Sequence, residues 1–229
     1  SGKAATTAEG FTAAPVTPYV PTIIIDAEPS TGAGSFYQSE NRLSPDKRIV
    51  YNAQSSTVFK LPVNATSIVR IEGTYTSFTY SAGTLTFLSP VSGEIAITYR
   101  LANPDAYSSI MDCDLAVVYS NISVVFAGCP AQPNAYFWNG NTNLVMDAGY
   151  FPMEQYNFAG DASDPVTAFG LQQSFLVIFK ERSIGRTSFG IEAVDGRDFV
   201  DLPYTPINAG TGCLRNTVQL VENNLVWAD

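Results

Sequence analysis

One short stretch of sequence constrains the fold of this chain more than any other. The residues from Phe175 to Phe179 read FLVIF, a run of apolar side chains with polar residues directly before and after it. Such a run leaves no room for a helical period and is typical of a strand covered on both faces. The flanking segments Val166–Leu171 and Ile184–Ile191 also read as strands. We therefore predict a small antiparallel sheet with Phe175–Phe179 as its middle strand, packed between two further layers.

A separate all-β unit is predicted before this sheet. Apolar and polar residues alternate along Glu94–Arg100 and again along Thr84–Leu88, which is the period of a strand with one buried face. Short strands at intervals of about ten residues are typical of a small sandwich or barrel. We predict a small antiparallel β-sandwich domain over residues 31–102. Its other predicted strands are Arg48–Tyr51, Val58–Leu61, Ser67–Glu72 and Phe78–Tyr80.

The N-terminal residues are predicted to be extended. Residues 1–15 are small and polar, and Pro18 and Pro21 precede three isoleucines. Proline is confined to the edge or the start of a strand, so the strand is predicted only at Thr22–Asp26. We assign residues 1–30, the arm and this strand, to the second domain.

The second domain, residues 103–229, is predicted to be an antiparallel β-sheet region with propeller-like blades. Asn103 and Pro104 favour a short helix over Pro104–Met111 at its start. Hairpins of apolar strands with tight polar turns are typical of successive blades. Two or three propeller blades of about 40–50 residues fit in this domain. A closed propeller needs at least about four blades, so we expect the propeller to be truncated at the C-terminus. The predicted features are strands at Leu115–Tyr119, Ser123–Ala127, Ala135–Trp138, Val218–Val221 and Leu225–Trp227, an irregular connection at Asn143–Ala159 and a turn at Asp195–Arg197.

Charge and the rarer residue types exclude several kinds of site. The net charge is −9 and Lys47-Arg48 is the one adjacent basic pair, so no nucleic acid is expected on a basic face. No apolar run approaches the roughly 20 residues of a membrane-spanning helix. Histidine is absent, which excludes Ser-His-Asp and Cys-His catalysis within this chain. A structural zinc site needs four ligands, one more than the three cysteines provide. We expect the cysteines to be buried reduced thiols: Cys113, Cys129 and Cys213.

Two acidic groups could carry chemistry, and a structural interpretation is preferred for both. Asp161–Asp164 resembles half of a calcium loop but lacks its glycine and glutamate, so turn capping is expected. A second group could hold a carboxylate pair for glycoside cleavage, although a polar loop is the preferred interpretation. Its members are Glu192, Asp195, Asp198 and Asp201.

Two further groups could contact a ligand or partner. Glu181 and Arg182 are predicted at a solvated hairpin tip, with a partner contact as the alternative. Four aromatic residues could stack on sugars or bases, but packing beneath a long loop is expected: Tyr150, Phe151, Tyr156 and Phe158. We assign no catalytic, cofactor-binding or metal-binding residues, and we expect no cofactor.

Several segments occur in an order that resembles a known family. The most specific are AGCPAQPNAYFWNG, from Ala127 to Gly140, and the stretch from Tyr150 to Arg186. Over residues 18–229 the chain resembles the propeller-containing virion structural proteins of tailed bacteriophages and of prophages of Gram-positive bacteria, which serve as neck or tail hub, stopper or tail-tip components. The resemblance implies a small β domain inserted into a propeller, no catalytic residues, and a place in the virion after assembly in the host cytoplasm. Its relatives begin before Ser1 and continue past Asp229.

These features lead to one functional hypothesis and two alternatives. The first is a non-catalytic structural component of a phage or prophage particle, whose partners are other virion proteins and further copies of itself in a ring. The alternative is a carbohydrate-binding or adhesive β module on a phage or bacterial surface. A propeller hydrolase ranks last, because the chain has no histidine and no motif with chemical content.

Overall fold

Nearly all of the regular secondary structure in the part of the chain that the structure describes is β. The computed structural model describes residues 16–73, 77–102, 105–120, 123–142, 145–194 and 197–229. Within these ranges the strands form several sheets, antiparallel apart from one parallel pair, and the one helix is α1 (Asp105–Met111). We call the described residues up to 102 the N-terminal lobe and those from 105 onward the C-terminal lobe. The predicted all-β class is confirmed.

Six strands form the sheet of the N-terminal lobe, in the order β2-β1-β3-β6-β4, with β5 paired to the start of β6. The chain builds this sheet from fewer and longer strands than predicted. The predicted strands Arg48–Tyr51 and Val58–Leu61 are the two halves of β3, and Thr84–Leu88 and Glu94–Arg100 are the two halves of β6. Both β3 and β6 continue through irregular positions that the alternation pattern does not show. The bounds are β1 Thr22–Ala27, β2 Ser35–Phe36, β3 Asp46–Lys60, β4 Ala65–Ile71, β5 Phe78–Ser81 and β6 Thr84–Leu101.

Strand β3 bends back on itself, so that one sheet supplies two packed layers. Nine residues of straight strand would span about 30 Å, yet the Tyr51 hydroxyl donates a hydrogen bond to the Lys60 carbonyl at 2.5 Å. The rings of Tyr51 and Phe59 meet edge to face at 5.2 Å. Register shifts between Ala53 and Val58 mark the bend, as expected of β-bulges. The core of this lobe therefore lies inside a single folded sheet.

The structure corrects the assignment of the first strand. Strand β1 runs parallel to β3, with Thr22 opposite Arg48 and Ile24 opposite Ile49. It therefore belongs to the sheet of the N-terminal lobe, and placing it in the second domain was wrong. The reason is that pairing between distant strands depends on which free edge is available, and composition does not encode this.

The first sheet of the C-terminal lobe is a four-stranded antiparallel meander, which we call meander A. Its order is β12-β9-β8-β7. The helix before it matches the prediction to within one residue, although Asn103 and Pro104 lie outside the described residues. The segment expected to be irregular supplies the edge strand β12, because Tyr156–Phe158 pairs with β9. The bounds are β7 Leu115–Tyr119, β8 Ser123–Cys129, β9 Gln132–Trp138 and β12 Tyr156–Phe158, with a small β10–β11 pair at Asn141–Thr142 and Val145–Met146.

A second meander, meander B, contains the stretch on which the sequence prediction was centred. Its order is β13-β14-β15-β18. Leu176 and Ile178 of β14 pack in one apolar cluster, and Val177 and Phe179 pack in another. The prediction of a middle strand buried on both faces is thus confirmed. The bounds are β13 Val166–Gln172, β14 Phe175–Lys180, β15 Ile184–Ser188 and β18 Thr205–Asn208.

Two hairpins complete the lobe. The predicted strand Ile184–Ile191 is divided at Phe189, because β16 leaves meander B and pairs with β17. The C-terminal hairpin β19–β20 forms near its predicted place and packs Trp227 on Phe179, with ring centroids 5.1 Å apart. The bounds are β16 Gly190–Val194, β17 Arg197–Asp201, β19 Gln219–Val221 and β20 Asn224–Val226.

The layers of the C-terminal lobe follow the order of the chain. Tyr136 and Trp138 of meander A share an apolar cluster with Leu176 and Ile178 of meander B. On its opposite face, meander B carries the β19–β20 hairpin. Meander A, meander B and the hairpin are therefore three consecutive layers, and β13, the first strand of meander B, contacts both β7 and β19.

Candidate functional site

Three of the four acidic candidates lie on the β16–β17 hairpin, Glu192 on β16 and Asp198 and Asp201 on β17. The backbone register places Asp198 opposite Ala193 and Asp201 opposite Gly190. Because successive residues of a strand alternate between its faces, positions 198 and 201 are on opposite faces of the hairpin. Asp195 lies outside the described residues.

The turn at Asp161–Asp164 is capped by the protein's own groups, as predicted. Asp161 Oδ1 accepts a hydrogen bond from the Ser163 amide at 2.7 Å. Asp164 Oδ1 accepts the Arg182 amide at 2.9 Å, and its Oδ2 accepts the Ser183 hydroxyl at 2.5 Å. Within the described residues there is no group of three or more side chains placed to hold a metal ion.

Lys180 is the unexpected member of this turn. Its side chain is 2% exposed, and its Nζ lies 3.4 Å from Asp164 Oδ2 and 3.3 Å from the Asp161 carbonyl oxygen. Burial alone would raise the pKa of Asp164, but the hydrogen bonds from Ser183 and Arg182 together with the Lys180 charge outweigh it and lower that pKa. This buried ion pair joins the turn to the end of β14 and is structural.

Of the residues at the predicted hairpin tip, Glu181 and Arg182 are exposed, as expected of a solvated tip. Arg182 bonds the Ser163 carbonyl oxygen within the same lobe. Lys180, the residue directly before these two, is buried instead. Lys180 is the last residue of β14 and pairs with Val166, so it belongs to the strand and not to the turn that follows. Extending the predicted strand by one residue beyond Phe179 would have included it.

Two of the four candidate aromatic residues lie at the junction between the lobes. Phe151 is fully buried against Phe126, with ring centroids 5.1 Å apart. Tyr150 donates a hydrogen bond to the Ser39 carbonyl at 3.0 Å and meets the Tyr19 ring edge to face at 5.2 Å. Both side chains are buried, as expected, but at the junction where they join the two lobes rather than beneath a loop.

The other two aromatic residues, Tyr156 and Phe158, remain partly exposed, at 39% and 43%. Their rings meet at 90° with centroids 5.5 Å apart. The Arg42 guanidinium lies 5.1 Å from the centre of the Tyr156 ring and 4.9 Å from that of Phe137. Arg42 of the N-terminal lobe therefore covers one face of the Tyr156 ring.

Asn41 is the polar centre of the junction, and sequence analysis did not single it out. Its side chain is 2% exposed. Nδ2 donates to the carbonyl oxygens of Tyr19 and Gly149, both at 2.7 Å, while Oδ1 accepts the amides of Leu43 at 3.0 Å and Phe151 at 2.9 Å. The backbone adds a β-bridge between Asn41 and Pro152. One asparagine thus satisfies four backbone groups from both lobes and fixes their relative orientation.

The three cysteines are free thiols, as expected, and Cys129 and Cys213 are buried. Cys113 is only half-buried, and its Sγ donates to the Ser109 carbonyl at 3.5 Å. Burial, together with the nearby Cys129 thiol, raises the pKa of Cys113 to about 12. A thiol with so high a pKa is a poor nucleophile at neutral pH, so its role is packing.

The features above define an all-β protein of two lobes with a rigid junction between them. Within the described residues, no helix has the length and apolar character needed to cross a membrane. No protein-family model, curated protein or solved structure matches the chain.

Proposed function

We propose that the chain is a non-catalytic structural component of a bacteriophage or prophage particle, placed in the neck or tail, where it acts by protein–protein assembly. Its partners are adjacent virion proteins and further copies of itself in a ring. The family resemblance over residues 18–229 supports this proposal, and so does the layering of the C-terminal lobe.

The observation that carries the proposal is the stacking of meanders A and B in chain order. Both are four-stranded antiparallel meanders, and their inner faces share one apolar cluster. Their first strands, β7 and β13, lie beside each other, and the β19–β20 hairpin follows on the far face of meander B. Consecutive four-stranded sheets stacked around their first strands are the arrangement of propeller blades. This supports a scaffold that presents loops from rigid sheets.

The junction between the lobes supports the same role. Asn41 and Arg42 bind backbone groups of the C-terminal lobe, including the Met153 carbonyl, which Arg42 reaches at 2.6 Å. A small domain held at a fixed angle can position a partner without closing over a substrate. Its surface also offers large exposed apolar side chains, among them Phe36 at 70% and Leu88 at 83% exposure. Such side chains suit contacts with neighbouring proteins.

Analysis of purified particles tests the proposal. The protein should copurify with intact particles through a density gradient and be detected by mass spectrometry in several copies per particle, and the recombinant chain should be captured by neck or tail proteins. Portal, capsid or tape-measure genes beside its own gene would agree with this. A chain found only as a free monomer and absent from purified particles would contradict the proposal.

The carbohydrate-binding alternative depends on one observation, the partial exposure of Tyr156 and Phe158. Sugar rings stack on flat aromatic faces, whereas these two rings stand at 90° to each other. The alternative therefore ranks second. A glycan array separates the two proposals, because binding above background that is lost in Phe158→Ala would favour the carbohydrate-binding module.

A further inference from the structure

Two of the three cysteines share one apolar cluster at the start of meander A. Cys129 ends β8 and is fully buried, while Cys113, just before β7, is half-buried. Both side chains pack in a cluster with Ile110 and Phe137. Cys213 belongs to a different cluster, on the face of meander B that carries the β19–β20 hairpin. Cys113 and Cys129 are therefore the one pair of cysteines that packs together.

The β7–β8 ladder places these two cysteines opposite each other. Its register has no shift along β7. Continued by one residue before β7, this register pairs Asp114 with Gly128, and a Cβ on Gly128 would overlap the Asp114 carboxylate. The two chain segments therefore stay side by side beyond the end of the ladder. Continued by a second residue, the register pairs Cys113 with Cys129.

The spacing of such a pair suits a disulfide. Residues directly opposite each other in an antiparallel ladder have Cα atoms about 4.5–5.5 Å apart, and cysteines joined by a disulfide have Cα atoms roughly 4.4–6.8 Å apart. The pKa of Cys113 agrees with this closeness: after burial, the Cys129 thiol raises it most, ahead of the carboxylates of Asp112 and Asp114. In the reduced form, Cys113 Sγ donates a weak hydrogen bond to the Ser109 carbonyl at 3.5 Å, which the bond to Cys129 would replace.

We propose that Cys113 and Cys129 form a reversible disulfide that closes the start of meander A in oxidising surroundings. The oxidant is a small-molecule disulfide such as oxidised glutathione. The half-buried Cys113 thiolate attacks one of its sulfur atoms, forming a mixed disulfide and releasing one small thiol. The Cys129 thiolate then attacks the Cys113 sulfur, which closes the bridge and releases the second small thiol. The two protein thiols thus give up two electrons and two protons, which convert the oxidant into two thiols.

The bridge would restrain the connection between α1 and meander A by joining its two sides covalently. Leu43 of the N-terminal lobe and Phe151 of the junction pack in the same cluster, so the bridge lies beneath the contact between the lobes. Thiols stay reduced in the cytoplasm and pair in oxidising surroundings outside it. A particle assembled in the host cytoplasm would therefore acquire the bridge after release. This timing rests on the proposed function, whereas the bridge itself does not.

Peptide mapping tests the bridge. The chain is purified in dithiothreitol and kept in excess oxidised glutathione until its free-thiol content stops changing, then freed of glutathione in acid, unfolded in N-ethylmaleimide and digested with trypsin. Residues 101–180 form one tryptic peptide that contains Cys113 and Cys129, whereas Cys213 is in the peptide 198–215. We expect the first peptide to be unalkylated and two hydrogen atoms lighter than its reduced form, and the second to be alkylated. Dithiothreitol should restore both thiols of the first peptide.

Three results of this mapping would overturn the proposal. The first is glutathione on Cys113 without a bridge, and the second is a disulfide that joins two copies of the chain. Exchange in the folded protein is slow, because Cys113 is hardly ionised at neutral pH, so the mapping is repeated on chain refolded from guanidinium in oxidised glutathione. Two free thiols in the peptide 101–180 after both treatments are the third.

Thermal unfolding measures what the bridge does to stability. The oxidised protein should melt about 5–10 °C above the reduced protein, because the bridge restricts the unfolded chain. Cys113→Ala should abolish this difference. Cys213→Ala is the matched control and should keep it, since Cys213 is 2% exposed but lies in the other cluster. Equal melting of the oxidised and reduced parent, or a difference that persists in Cys113→Ala, would contradict a stabilising bridge.

Mapping the cysteines of purified particles tests the timing. Chain trapped with N-ethylmaleimide in intact host cells should have free thiols, whereas chain from released particles should carry the bridge. Free thiols in both samples would overturn the timing. Particles that contain the chain, together with a purified chain that forms no bridge, would leave the proposed function standing and remove this inference. A bridged chain that is absent from particles would do the reverse.

Discussion

At the scale of single residues, the most informative side chains are polar ones that the fold buries. Lys180 is 2% exposed and Lys47 is 1% exposed, each beside one carboxylate, Asp164 and Glu40 respectively. Burial lowers the pKa of Lys47, an effect that Glu40 partly offsets. Breaking such a pair by removing one partner is costly, since the remaining charge stays buried.

Asp164→Asn should lower the free energy of unfolding at neutral pH by roughly 3 kcal/mol, because Lys180 then lacks its counter-charge. The pKa of Asp164 is lowered in the folded protein. Its stabilisation is therefore fully present above the unfolded pKa of about 3.9 and is lost as the pH falls through the lower folded pKa. Urea unfolding between about pH 2 and 6 should show a shallower acid dependence in the variant.

The neighbouring exposed carboxylate provides the control for this experiment. Glu181→Gln should keep the neutral-pH stability of the parent, since Glu181 is exposed at the same turn. An Asp164→Asn variant with the parent's stability and the parent's acid dependence would contradict the interpretation of a buried structural pair.

Cysteine reactivity is a second prediction at this scale. With its pKa near 12, Cys113 is a thiolate in only about one molecule in 10⁴ at pH 8. Ellman's reagent should therefore detect almost no thiol in the native protein within minutes, and all three after unfolding in guanidinium. Val63→Cys is the positive control, because Val63 is 92% exposed and its thiol should react at once. Rapid release of one equivalent from the parent protein would contradict the burial of Cys113.

At the scale of elements, the connection from β18 to β19 is held tightly against the end of β14. The Cys213 amide donates to the Lys180 carbonyl at 2.9 Å, and the Gly212 amide donates to Asp229 Oδ1 at 3.0 Å. Gly212 packs against the backbone of Glu181 so closely that a Cβ there would overlap the Glu181 carbonyl group. The connection can lie here only because residue 212 has no side chain.

Gly212→Ala should therefore lower the free energy of unfolding by about 2–3 kcal/mol, because backbone rather than a flexible side chain must move. Gly210→Ala is a matched control two residues away, where the nearest neighbouring atom to an added Cβ is 3.8 Å distant. It should change stability by no more than about 0.5 kcal/mol. Equal effects of the two substitutions in urea unfolding would show that the close packing at Gly212 is unimportant.

At the scale of the whole molecule, the junction at Asn41 determines whether the lobes behave as one body. Both tryptophans, Trp138 and Trp227, are in the C-terminal lobe, so tryptophan fluorescence reports that lobe, whereas circular dichroism reports both. In the parent protein the two signals should change together on urea unfolding, because shared buried contacts couple the lobes.

Asn41→Ala should separate the two transitions and lower stability by about 3 kcal/mol, because it removes the hydrogen-bond partner of the Tyr19 carbonyl and of the Phe151 amide. Asn52→Ala, at an exposed position of β3, is the control and should leave both transitions in place. Coincident transitions in Asn41→Ala would mean that the apolar contacts alone couple the lobes.

Features that depend on a local pattern could be predicted from the amino-acid sequence. The run from Phe175 to Phe179 predicted a strand buried on both faces, and the structure places its alternate residues in two different clusters. The helix at Asp105–Met111 and the C-terminal hairpin followed from cap and turn residues. These features could be predicted because each depends on neighbours within a few residues.

Tertiary structure alone decided which distant groups meet. It paired Thr22–Ala27 with β3, bent β3 so that Tyr51 reaches Lys60, and buried Lys180 beside Asp164. It also brought β7 and β13 together along one groove. A local pattern specifies the face that a strand buries, but the partner on that face is selected by packing of the whole chain, whose free energy is spread over many distant contacts.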